Sequence, residues 1–181
     1  MTITVKSPIS FPVHVGRLSK NGLTVTIEAD EAQRLALAEA HGVVSVIGFE
    51  TKLVVAPWKK NGVKVEGRVI AEIEQECVVT LEPMVSRISE EFSQVFLPQD
   101  SRLAREGFLE GGEIHLDAEG PDSPEPFSGD TIDVGALAEE FFGLAIDPYP
   151  RKEDAALNMA EFNTDEGGQL REKLIAFTRK T

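Results

Sequence analysis

The chain has 181 residues, 41% of them apolar, and a formal net charge of −13. That length fits one domain with a sizeable core; the single cysteine excludes an internal disulfide, and no apolar run reaches the ~18 residues of a membrane-spanning helix. A surplus of anions this large disfavours phosphate backbones, which are held by cations that displace counterions, and favours basic proteins.

The charge is uneven. Residues 1–90 carry 10 Lys and Arg against 11 Asp and Glu, whereas residues 91–181 carry 8 against 20. From Glu106 to Pro150 there are 12 acidic residues and no Lys or Arg. The N-terminus, MTITVKSPISFPV, lacks the charged-then-apolar pattern of an export signal, so a cytoplasmic protein is expected.

In chain order, Phe11 to Val15 alternates and suits a sheet edge, where Pro12 is tolerated. Leu23 to Ala29 reads as a strand entered through Asn21-Gly22. Asp30 with Gln33 forms a capping-box pattern opening a short helix that Gly42 closes, and His41 suits its C-terminal end. Val43 to Ala56 is rich in β-branched residues and reads as a strand interrupted at Gly48. Asn61-Gly62 is a strong hairpin signal; with these two as the central pair, Trp58 is expected opposite Val65.

Val63 to Pro83 then alternates over its whole length, with Val63, Val65, Val69, Ile73, Cys77, Val79 and Leu81 on the apolar row. Straight, it would span roughly 60 Å at about 3.3 Å per residue. A domain of this size is only roughly 40 Å across. The run must therefore bend or coil, with Gly67 as the expected bulge and Gln75 as a second irregularity. Ile88, Phe92 and Phe96 mark a weaker strand, since Glu90 and Gln94 share their face. Residues 98–129 read as loop with one short strand near Glu113 to Leu116, and 117–129 as a mobile acidic segment. Asp133 is the expected N-cap of a helix whose apolar stripe is Leu137, Phe141, Leu144 and Ala145. Residues 151–164 read as linker, followed by an amphipathic C-terminal helix through Leu170, Leu174 and Phe177.

Two stretches carry a family resemblance. Gly67 to Pro83, GRVIAEIEQECVVTLEP, and Asp130 to Pro150, DTIDVGALAEEFFGLAIDPYP, occur in this order and cover about a fifth of the chain. As a pair they resemble the signature of the YceD family, described as large ribosomal RNA subunit accumulation proteins. The resemblance implies a role in ribosome assembly through large-subunit ribosomal RNA. Many family members carry C-x-x-C in the first stretch; here Cys77 is followed by Val78, Val79 and Thr80. Gly67, Gln75, Cys77, Thr80, Leu81, Glu82 and Pro83 carry the first signature and are expected to be structural. In the second, Asp130, Asp133, Glu139, Glu140, Asp147 and Tyr149 are the candidate partner-binding residues.

No residue is assigned a catalytic role. Cys77 as a nucleophile would need an electropositive setting, and its sequence neighbours are Glu74, Glu76 and Glu82; parity puts it in the core with Val79 and Leu81. His14, His41 and His115 show no metal-ligand spacing, so neither metal nor cofactor is expected. Glu139 and Glu140 project about 100° apart on a helix and do not share an acid–base site. Trp58 with Lys59, Lys60 and Lys64 is the one basic cluster with an aromatic, able to hold a phosphate and stack a base.

The expected architecture is α+β: a coiled antiparallel sheet or partly closed barrel with two or three flanking helices over residues 1–150, and a tail over 151–181. The expected activity is non-catalytic binding of a basic partner, such as a large-subunit ribosomal protein. A carboxylate-dependent enzyme in a barrel mouth and direct RNA binding through the Trp58 hairpin are the alternatives.

Overall fold

The computed structural model describes residues 6–101 and 124–152. Strands β3 (Ser45–Trp58), β4 (Gly62–Glu76) and β5 (Pro83–Pro98) form one long antiparallel meander. Strand β2 (Leu23–Glu28) extends it on the β3 side, and the short β6 (Glu125–Phe127) joins β5 in parallel over Phe96–Pro98. The sheet order is β2-β3-β4-β5-β6. A second, two-stranded sheet pairs β1 (Pro12–His14) with β7 (Thr131–Asp133). Helices α1 (Glu31–His41) and α2 (Val134–Ala145) complete an α+β fold.

Two architectural expectations change. The five-stranded sheet is mixed, because β6 runs parallel to β5. It also stays open: β2 and β6 lie at opposite ends of the strand order, so the described residues close no barrel. The strand expected at Glu113 to Leu116, the C-terminal helix and residues 117–123 of the acidic segment lie outside the described residues, whereas Glu125–Phe127 of that segment is strand.

Alternation explains the layers. The odd residues of β4 face the core: Val63, Val65, Val69 and Ile73 are fully buried. They pack with Phe49, Leu53 and Val55 of β3, with Phe92 and Phe96 of β5, and with Leu37 and Phe142 of the helices. The even residues face water and are mostly charged. Gly67 is not a bulge. Its pairing with Leu53 and Phe92 is continuous on both sides. A Cβ there would meet Leu53 Cβ at 2.7 Å and Lys52 O at 2.8 Å, so the residue is small because its neighbours are close. The bulge falls in β3, between Val46 and Gly48.

The hairpin differs from expectation too. Lys59–Asn61 form a 3₁₀ turn in which Asn61 alone takes positive φ, at 62°. Gly62 is extended and opposes Trp58, so Val65 pairs with Val55 instead of meeting Trp58. This is a three-residue loop, in which one left-handed residue suffices.

Helix α1 carries the expected capping box, with Asp30 Oδ1 accepting from Gln33 N at 2.8 Å and Gln33 Oε1 from Asp30 N at 2.9 Å. Gly42 ends it at φ 66°. Helix α2 buries Val134, Gly135, Leu137, Ala138 and Phe142, while Leu144 is 75% exposed. Of the expected stripe, Leu137 is buried and Phe141 and Ala145 pack against the core, whereas Leu144 faces water and Phe142 takes the central position. Phe142 fixes the orientation, meeting His41 and Phe49 edge-on at 5.1 and 5.4 Å between ring centroids. Gly135 lets the helix lie against the backbone at Ile9, closer than any side chain would allow. Among the described residues no helix is long and apolar enough to cross a membrane.

Candidate functional site

Strand β4 stops at Glu76, and the chain turns within six residues to start β5. Cys77 is the pivot. Its N–H donates to Glu82 O at 2.9 Å, and its C=O accepts from Leu81 N–H at 2.8 Å. These bonds close the loop on itself and end the alternation. Val78 N–H donates to Pro150 O at 2.9 Å, which ties the loop to the segment after α2. Three more bonds join the same two segments. Gln75 Nε2 donates to Asp147 O at 3.0 Å, Lys152 N–H to Cys77 Sγ at 3.5 Å, and Lys152 Nζ to Glu82 Oε2 at 2.7 Å. The two signature stretches, separated by 46 residues in sequence, thus meet at one end of the sheet.

Cys77 is fully buried, as parity requires. The Thr80 hydroxyl, then the Lys152 N–H, then the Thr80 and Val79 N–H groups bring its pKa from 9.0 to about 6 against burial, which raises it. Thr80, at the fourth position of the motif, is therefore the leading influence that lowers the Cys77 thiol pKa. Among the described residues no cluster of His, Cys, Asp or Glu could hold a metal ion. Glu82 is held below the usual carboxylate range by Lys152. Pro83 opens β5 opposite Glu76.

Leu81 departs from its expected core position. It has φ 58° and is 72% exposed. The alternation that placed it inside ends four residues earlier. Val44, Val78, Val85 and Tyr149 are also exposed at this end. Val44 N–H donates to Glu74 O, and Glu74 pairs with Val85, so these three form a row across the sheet. A cleft of about 240 Å³ opens beside them, between Val43–Val44, Gln75–Glu76, Val78 and Pro148. Gln75 is nearly buried, and its Oε1 has no hydrogen-bond partner among the described residues.

The six candidate partner-binding residues fall into two groups. Asp147 and Tyr149 belong to the end just described, with Asp147 Oδ1 accepting from Tyr149 N–H at 2.8 Å. Asp130, Asp133, Glu139 and Glu140 do not. The Asp130 carboxylate meets Thr131 and His14 and is held below its usual pKa by them. Asp133 is the N-cap of α2. Its Oδ1 accepts from Phe11, Gly135 and Ala136 N–H at 2.8, 3.1 and 3.0 Å, and its Oδ2 from the Ser10 hydroxyl. Burial raises its pKa, and these donors together outweigh burial and hold it low. Glu139 Oε1 is 3.3 Å from His41 Nε2 in a half-buried pair. Glu140 is exposed, and its charge, after burial, raises the pKa of Glu125. At about 1.5 Å per residue, the 12-residue α2 separates its capping acid from Asp147 by roughly 20 Å.

At the hairpin, Lys59 Nζ stands 5.8 Å from the Trp58 ring centroid, and Lys64 pairs with Glu66 at 2.7 Å. The side chain of Lys60 lies outside the described residues.

Sequence reasoning missed Lys152, read as linker, and the exposure of Val44, Val78 and Val85. Nothing in local spacing shows that Lys152 folds back on Cys77. The comparisons with known proteins bear on the same segments. The family described as large ribosomal RNA subunit accumulation protein YceD matches over residues 65–174, more than half of the chain. No curated protein and no solved structure gives a match. The match takes in the whole junction of β4, the Cys77 loop, α2 and Lys152, and the chain belongs to the YceD family of large ribosomal RNA subunit accumulation proteins.

Proposed function

We propose that this protein is a non-catalytic ribosome-biogenesis factor of the cytoplasm. It supports accumulation of large-subunit ribosomal RNA by holding a basic ribosomal or assembly protein on an acidic surface. Family membership is the observation that carries the reading. The net charge of −13 supports a basic protein, and not naked RNA, as the direct contact. A binding role makes no demand for a nucleophile or a bound cofactor.

The test has two parts. Cells lacking the protein should show a lowered ratio of large- to small-subunit ribosomal RNA. Purified protein should retain a basic large-subunit component at low salt and release it as salt screens the attraction. An unchanged ratio removes the reading. Direct RNA binding at the hairpin is the second reading, motivated by Lys59 lying over Trp58. Lys59→Glu with Lys60→Glu would abolish RNA affinity if that reading held, and leave it unchanged under the first.

A further inference from the structure

The charges on the wet face of the sheet cancel almost row by row. Lys52 pairs with Glu50, Lys64 with Glu66, Arg68 with Glu91 and Arg87 with Glu72. The cancellation stops at the end that carries the family signature. There Lys152 is already engaged by Glu82, and Glu74, Glu76 and Asp147 have no cation within ion-pair distance among the described residues. Elsewhere on this face Glu28, beside Glu50, has no cation within ion-pair distance among the described residues; Glu74, Glu76 and Asp147 stand together where the two signature stretches meet.

The same end exposes apolar side chains that folding leaves unburied. Val44 and Val85 flank Glu74, and Val78 and Leu81 project from the Cys77 loop. Leu81 is the most telling. A left-handed backbone is costly for a branched side chain, and exposure to water returns nothing for it. A residue that folding does not favour is better explained by what it touches outside the fold. Beside this group lies the small cleft, with Glu76 on its rim. Gln75 is one of its walls, and its Oε1 is an acceptor without a donor.

We propose that this end of the sheet docks a Lys/Arg-bearing polypeptide segment. Its apolar side chains lie on Val78, Leu81 and Val85, and its cations meet the carboxylates of Glu74 and Glu76. The inference rests on the function proposed above and names the surface through which it acts. Apolar anchors ringed by complementary charge are the usual composition of such a surface.

The test passes RNA-free protein extracted from purified large ribosomal subunits over the immobilised full chain at low salt. Retained proteins are identified by mass spectrometry. Wild type should retain at least one Lys/Arg-rich protein. Leu81→Gly and Glu76→Lys should each weaken that retention by tenfold or more, and Leu35→Asp, at an exposed apolar residue of α1, should not. Leu81→Gly suits the left-handed backbone, so its loss of binding cannot be ascribed to unfolding. Retention by both variants equal to wild type would overturn the docking surface. If cells lacking the protein still lose large-subunit RNA, the functional reading survives that outcome. Retention of nothing, or only when ribosomal RNA is added back, would also overturn the proposal. An unchanged RNA ratio in the deletion would then remove the functional reading as well.

Discussion

Leu81 and Cys77 sit four residues apart and answer to different constraints. Leu81 takes φ 58° with its side chain in water. Left-handed backbone costs a residue of this kind about 1–2 kcal/mol. Glycine gives back about 0.5–1 kcal/mol of that through its looser unfolded chain. Leu81→Gly should therefore stabilise the protein by about 0.5–1 kcal/mol, read as a higher denaturation midpoint. A lower midpoint would mean that the leucine packs within the fold. Cys77 behaves oppositely, buried and with its thiol pKa lowered from 9.0 to about 6. A group whose folded pKa is depressed binds fewer protons when folded. Its contribution is complete above the unfolded pKa near 9 and is lost as pH falls toward 6. Stability should rise between those limits, and Cys77→Ser should flatten the rise. Thr80→Val should move the thiolate titration, followed by ultraviolet absorbance, back toward 9.0, because the Thr80 hydroxyl is the leading cause of the shift. Alternation was enough to place Cys77 inside. It misplaced Leu81 because the strand ends where Cys77 bonds to Glu82 and Leu81, a closure that no spacing rule records.

At the scale of elements, α2 shows how much a helix leaves undecided. Apolar residues occupy most of its circumference, so two stripes have equal periodicity. The buried one contains Gly135, which admits the backbone at Ile9, the small Ala138, and Phe142, which fills the space between His41 and Phe49. Local spacing carries no information about that space. Phe142→Ala should cost about 3–5 kcal/mol, the range for emptying an aromatic site in a core. Leu144→Ala should be nearly silent by comparison, and equal losses would mean that the helix is rotated. Asp133 was legible as a cap. Its ties to Ser10 and Phe11 were not, since they cross more than 120 residues. Asp133→Ala removes the acceptor for one hydroxyl and three N–H groups and should cost about 2–3 kcal/mol, more than a simple cap loss of about 1. Because that carboxyl is held low, its contribution is full above the unfolded carboxylate range and fades as pH drops through the folded value. Asp133→Asn should lose this acid sensitivity while keeping part of the cap.

For the molecule as a whole, the long alternating run between Asn61-Gly62 and Pro83 dictated the sheet, and the β3-β4-β5 meander follows from it. Openness was not legible. Whether a coiled sheet closes depends on what its outer strands meet, and those contacts are long-range. The candidate site was half legible. The residue types of the two signature stretches were visible, whereas their meeting through Gln75, Val78, Pro150 and Lys152 depends on the return of the chain after α2. The account's central claim is that a catalytically silent surface at this junction sustains large-subunit ribosomal RNA. The most direct measurement is the ratio of large- to small-subunit ribosomal RNA in cells lacking the protein, complemented with wild type or with Leu81→Gly/Glu76→Lys at matched protein levels. The account predicts a lowered ratio that wild type restores and the double variant does not. A ratio that deletion leaves unchanged, or that the double variant restores in full, would contradict it.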